Sequence, residues 1–200
     1  MAVEFKFDFP RTLAAITYIA SRGIPDLTTY KILKIIFLAD KYHLVRYGRT
    51  ITGDKYCALP DGPVPSLIYD IFKKQVLKTP FTEEGRRILE NIKVNKPRFI
   101  GNPTFKAIKA YDATELSKSD IGALNKAIND FGKLSYGQLK KLTHKMAAFD
   151  RAWSAKKTSQ DAPMNFEDFF EDDSNAVSGA KEEMIENDQL RKVFAERRTI

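Results

Sequence analysis

Residues Thr28-Thr29-Tyr30-Lys31-Ile32-Leu33-Lys34-Ile35-Ile36-Phe37-Leu38-Ala39-Asp40-Lys41-Tyr42-His43-Leu44-Val45-Arg46-Tyr47-Gly48 carry the strongest helical pattern in the chain. Ile32, Ile35, Ile36, Ala39 and Tyr42 recur at helical steps, and Leu33, Phe37 and Leu44 widen the apolar face beyond half the circumference. Thr28 or Thr29 offers an N-cap oxygen, and Gly48 offers a left-handed stop. A helix apolar on most of its sides belongs at the centre of a helical body. Asp40 interrupts it. A carboxylate there needs a partner, and His43, Tyr47 or a backbone amide is the expected one. An Asp40–His43 pair reads as a satisfied polar contact in a core, not as an acid–base dyad.

Outward from this helix the chain is mostly helical. Phe5, Phe7 and Phe9 alternate with Glu4, Lys6 and Asp8, which predicts an extended arm lying on the body. A helix is expected from Pro10 to Gly23, an extended stretch over 50–59, and a chain break at Asp61-Gly62-Pro63-Val64-Pro65. Helices are expected over 66–74, from Ser117 to Gly132, and after Ser135. Residues 87–94, with a Lys96-Pro97 turn before Phe99-Ile100, form the expected hairpin. Residues 156–173 read as a linker. Residues 176–198 read as a mixed-charge helix with a thin stripe of Val177, Met184, Leu190 and Phe194. No internal repeat is apparent. The expected fold is α+β but predominantly helical: a compact multi-helix domain around a central apolar helix, with a small β-sheet or hairpin and a C-terminal helical extension. The domain is expected to span 1–157, with an acidic linker and helical extension over 158–200.

Composition narrows the chemistry. Among 200 residues, one cysteine (Cys57) and two histidines (His43, His144) exclude a disulfide framework and a Cys/His metal cage. No apolar run approaches a membrane span, and the acidic N-terminal residues lack a signal-peptide core, so a cytoplasmic protein without membrane association is expected. Phosphate-loop, Gly-x-Ser-x-Gly and His-Glu-x-x-His patterns are absent, and Cys57 sits in a strand-like Tyr-Cys-Ala-Leu run that suits an inert thiol. No enzyme, cofactor or metal is expected. Net charge is +7, divided as +13 over 1–157 and −6 over 158–200. A basic body suits a polyanion or an acidic protein face. The helix after Ser135 offers too few base-reading side chains to be a recognition helix.

The segment ending Ala39-Asp40, His43-Leu44 and Tyr47-Gly48, then Asp54, Tyr56 and Gly62-Pro63-Val64, resembles the Panacea domain of SocA-type and GepA-like phage-associated antitoxins. Leu142-Thr143-His144 and Trp153 match that family's closing segment, and the resemblance covers roughly residues 10–155. Where the family often has a histidine before Gly-Pro-Val, this chain has Asp61. The resemblance implies an antitoxin that neutralises a co-encoded protein toxin by direct contact, with a protease or operator DNA as further partners. Oligomeric state is left open.

Asp40, His43, Tyr47, Gly48, Asp54, Gly62, Pro63, Val64, His144 and Trp153 are assigned to the scaffold. The exposed charges Arg46, Arg49, Lys55 and Asp61 are candidate toxin contacts. So are Phe166, Phe169 and Phe170, which share one face of a short acidic helix at spacings of three and four. That face is expected to dock on the toxin rather than on the body. A chain ending at 157 is then expected to stay folded and bind more weakly.

Overall fold

A computed structural model describes residues 3–76, 82–98, 100–156, 162–171, 173, 174 and 176–196. The helices are α1 (Phe9–Ser21), α2 (Thr29–Tyr47), α3 (Ser66–Asp70, continued by a π-helical segment, Ile71–Val76), α4 (Glu83–Asn91), α5 (Lys118–Phe131), α6 (Tyr136–Thr143), α7 (Ala147–Ala155) and α8 (Ala180–Glu196). The strands are β1 (Tyr56–Leu59), β2 (Gly62–Pro65), β3 (Ile92–Asn95), β4 (Thr104–Ala107) and β5 (Ala162–Pro163), with a 3-10 turn over Phe166–Phe170. The fold is predominantly helical α+β, as the sequence predicts.

The quoted helix is the axis. Thr28 caps it through Lys31 N–H, Gly48 closes it at φ +64°, and residues 31–41 and 43–45 are buried. Around it lie α1, α5, α6, α8, the 3-10 turn and β2. Ser117 and Ser135 each make a reciprocal capping box, which starts α5 and α6 where the sequence places them. The arm also behaves as expected, with Val3 buried and Phe5, Phe7 and Phe9 packed against the core.

The β structure departs from the sequence reading. The chain break expected at residues 61–65 contains a strand, Gly62–Pro65, pairing antiparallel with β1 through Tyr56↔Pro65 and Ala58↔Pro63, and Pro65 is where it turns into α3. Two prolines fit there because the sheet order is β2-β1-β5, so β2 is an edge and the missing N–H groups leave no ladder unpaired. The second hairpin exists with a different register. Residues 83–91 are helical, and β3 pairs with β4, Val94 opposite Phe105, across a longer connection than Lys96-Pro97. The helix wins over 87–91 because Thr82 caps it and Glu83 reaches both Arg86 and Arg87 one turn on. Helix α7, which carries Trp153, had no counterpart in the sequence reading.

The expected linker is also corrected. Ala162–Pro163 adds β5 to the sheet, and Phe166 and Phe169 are 4% and 1% exposed. Phe169 sits 5.6 Å from the Phe37 ring and 5.7 Å from Tyr56, and Phe166 packs on Phe5 at 4.8 Å. Phe170 is half-buried against the same core. These rings therefore dock on the body, not outward toward a partner. Charge also holds the segment: Arg151 pairs with Asp168 and Glu171 at the surface, and Lys41 forms a buried pair with Asp173 at 3.4 Å. Helix α8 then packs across the end of α2. A side chain at Gly48 would meet the Ala180 carbonyl at 3.0 Å, so glycine is required there twice over. Of the apolar stripe expected on α8, Met184 is buried, while Val177, Leu190 and Phe194 are exposed.

Truncation should therefore unfold rather than merely weaken the protein. Phe169→Ala removes a fully buried ring and is expected to cost about 3–5 kcal/mol. A chain ending at 157 should lose its cooperative thermal transition. An unchanged melting temperature for that truncation would show that the body closes without the C-terminal segment.

Candidate functional site

The N-terminal end of α2, the β1–β2 turn and α6 converge on one polar cluster. Tyr30 and Lys34 stand one turn apart on α2, as do Tyr136 and Lys140 on α6, and the hairpin turn brings Asp61 between them. Asp61 Oδ1 accepts from Tyr136 Oη at 2.5 Å and Lys140 Nζ at 2.7 Å, while Tyr30 donates to the Asp61 carbonyl at 3.2 Å. Those donors, Lys140 first, hold the carboxyl below its usual range. The Tyr30 and Tyr136 rings lie 4.5 Å apart. They border a cavity of about 540 Å³ shared with Asp26, Lys31, Ser135 and Leu139.

Beneath the turn lies Lys34, fully buried. Its Nζ donates to the Pro63 carbonyl at 2.5 Å and stands 5.0 Å from the Tyr30 ring. Among the described residues no carboxylate lies within ion-pair distance of it. Burial pushes its pKa down to about 7. Gly62, at φ +99°, makes room: a side chain there would come within 2.9 Å of Lys34 Nζ and 2.8 Å of Thr143 Oγ1. His144 completes the wall, its ring 4.3 Å from Phe149, which stacks in turn on Trp153. Its Nε2 is buried without a partner, and burial lowers its pKa, with Lys140 and Lys34 adding to the effect. The cluster places a rigid tyrosine pair and an oriented carboxylate at a cavity mouth, which is a geometry for holding a ligand.

The other residues singled out in the sequence lie elsewhere. Asp40 does not meet His43. It accepts from Ile51 N at 2.7 Å, Thr52 N at 3.2 Å, Thr52 Oγ1 and Tyr56 Oη, while burial raises its pKa. His43 instead bonds through Nδ1 to the Arg49 carbonyl at 2.8 Å and through Nε2 to Ser119 Oγ at 3.0 Å, with Asp120 Oδ1 at 3.1 Å. Burial lowers its pKa, so the ring is neutral at pH 7 and Nδ1 donates. Of the three partners expected for Asp40, the backbone amides are the ones that bind it, supplied by the loop after Gly48, and His43 and Tyr47 are not. Asp54 binds the first amides of α3, Leu67 N at 3.1 Å and Ile68 N at 2.9 Å, and burial raises its pKa to about 6. Tyr47 is 43% exposed, with its ring 4.6 Å from His43, and Val64 is buried in β2.

Of the proposed contact charges, Arg46 is exposed and Lys55 pairs with Glu4 at 2.7 Å on the surface. Arg49 is not a free charge: its Nη2 lies 2.9 Å from Asp120 Oδ1, which is buried. Asp61 is at the cavity mouth. Tyr30, Lys34, Tyr136 and Lys140 escaped the sequence reading. The available signal was Lys34 itself, a lysine inside the apolar run Ile32–Leu38, together with two Tyr-x-x-x-Lys pairs at helical spacing.

The family model described as "Antitoxin SocA-like, Panacea domain" matches residues 32–150. The match runs from the first turn of α2 into α7 and includes Lys34, Asp61, Tyr136, Lys140 and His144. No curated protein and no solved structure matches the chain.

Two outcomes follow for this chemistry. Arg49→Glu should lower stability by about 1–3 kcal/mol by leaving buried Asp120 facing a like charge, whereas Arg46→Glu should leave the melting temperature unchanged; equal effects would place Arg49 in solvent. Between pH 7 and the ordinary lysine value of 10.5, folded Lys34 has released a proton that the unfolded chain keeps. Its contribution to stability therefore rises with pH over that window. Wild type should gain on Lys34→Met by up to about 1 kcal/mol per pH unit from pH 7 to 9 in thermal unfolding. A pH-independent difference would mean that the amine reaches water.

Proposed function

The chain belongs to the SocA-like, Panacea-domain antitoxin family, and we propose that it neutralises a co-encoded protein toxin by direct, stoichiometric contact in the cytoplasm, without turnover. The observation that carries this reading to a surface is Tyr136. It is 50% exposed, yet its ring lies against Tyr30 and its hydroxyl is bound to Asp61. A large aromatic side chain held in one orientation beside a cavity loses little entropy on binding, and such anchors dominate protein interfaces. Lys34 and the capping box of α6 sit behind it and fix the platform.

No helix among the described residues is long and apolar enough to cross a membrane. The candidate contacts from the sequence that remain on this face reduce to Asp61, with Tyr30, Tyr136 and Lys140 added by the geometry.

Co-expression with the neighbouring reading frame should rescue growth, and the two proteins should co-purify. Tyr136→Ala should weaken the complex at least tenfold, about 1.4 kcal/mol, while the free chain keeps its cooperative thermal transition. Growth arrest in the presence of soluble, folded wild-type protein would overturn neutralisation. Full rescue by Tyr136→Ala would move the contact to another face.

A further inference from the structure

About 25 Å along α2 from Tyr30, a second crevice opens where the end of that helix meets the start of α5. It is a cavity of about 240 Å³, walled by Tyr42, Arg46, Tyr47, Lys118, Ser119 and Lys126, with Gly122 and Ala123 as its small residues. Every charged residue lining it is a cation. Arg46 and Lys118 are exposed and have no acidic partner among the described residues. Lys126 is 3.0 Å from Asp130, which lies outside the crevice. Among the described residues the nearby acids are already matched: buried Asp120 by Arg49 at 2.9 Å, and buried Asp173, whose charge reaches Tyr42, by Lys41 at 3.4 Å. The charges of Arg46 and Lys118 are therefore uncompensated at a concave site, where low-dielectric walls concentrate their field, while Lys126 shares its charge with Asp130.

We propose that this crevice is a docking site for an acidic segment of a partner protein, with one Glu or Asp carboxylate seated among Arg46, Lys118 and Lys126. The site is separate from the Tyr136 pocket and stands without it. A peptide suits it better than a nucleic acid for two reasons. Its tyrosines are already engaged: Tyr42 stacks on Phe131 at 6.1 Å and donates to Asp130 at 3.2 Å, and the Tyr47 ring lies 4.6 Å from His43. Tyr42 is a wall, and the single half-exposed ring of Tyr47 is not the row of platforms on which successive bases stack. The cavity also has the volume of one side chain and is not a groove that follows a phosphate backbone. Ser119 Oγ adds a hydroxyl at the rim, fixed by His43.

The probe is fluorescein-labelled octaglutamate, titrated with the full chain at low salt and read by fluorescence anisotropy. The amides of Ser119 and Gly122 are followed by NMR with the unlabelled peptide. Saturable binding that perturbs these amides, falls about tenfold in Arg46→Glu/Lys118→Glu and persists in Tyr136→Ala is the expected result. Both charge reversals are at exposed positions, so the melting temperature should not change, and persistence in Tyr136→Ala separates this site from the toxin contact. Equal binding by wild type and the double variant would overturn the proposal. So would an eight-residue oligothymidine that binds more tightly than octaglutamate and perturbs the same amides.

Discussion

One carboxylate decides how the chain turns after its central helix. Asp40 is fully buried in α2 and receives two backbone amides, a threonine hydroxyl and a tyrosine hydroxyl, all from residues 51–56. Left unpaired it would cost several kcal/mol, so the loop that supplies those donors has little freedom to lie elsewhere. Fixing that loop fixes where β1 starts, hence where the β1–β2 turn falls, hence where Asp61 meets α6. Polar groups inside this core work as registration pins, and the apolar contacts of α2 supply the bulk of the burial around them.

Lys34 extends the same logic at the other end of the helix. An amine with a carbonyl partner and, among the described residues, no carboxylate within ion-pair distance is an expensive thing to bury, and its neutral form lowers that expense near neutrality. What it secures is the hairpin: Pro63 offers a carbonyl that no neighbouring edge strand claims, and Lys34 reaches it from below. The cavity mouth, with its paired tyrosines, therefore rests on a lysine that solvent does not touch. At the opposite end of α2 the balance differs, with His43 neutral and Arg49 committed to Asp120, so that Arg46 and Lys118 are left as unspent charge.

Much of this was legible in the sequence where a local rule had no competitor. Thr28 and Gly48 bound α2, and Ser117 and Ser135 begin α5 and α6 with their capping boxes. The reading failed where long-range pairing overrode a local signal. Pro63 and Pro65 argue for a corner until an edge position removes the objection to a strand. Acidic residues 161–173 argue for a solvated linker, yet two phenylalanines among them, Phe166 and Phe169, fill a gap beside Phe37 and Tyr56 that no local pattern reveals. Asp40 is an intermediate case. Burial in an apolar helix foretold a partner and left open His43, Tyr47 or a backbone amide, and the fold of the following loop selects the amides of Ile51 and Thr52. The Tyr30–Tyr136 platform was invisible for the same reason, since it forms between residues 106 positions apart whose only sequence trace is a repeated Tyr-x-x-x-Lys spacing.

Topology gives the C-terminal segment a consequence in time. Cys57 pairs with Pro163 in the sheet, and the amide of Glu4 donates to Asp188 Oδ1, 184 positions away. Loops of that length close late, and synthesis delivers the chain from its N-terminus. While the ribosome is still reading the region that the family model covers, the face of α2 around Phe37 has no Phe169 to cover it. The nascent core is an open book whose binding is written on a late page, and it is sealed only after β5, the Phe166–Phe170 turn and α8 have left the exit tunnel.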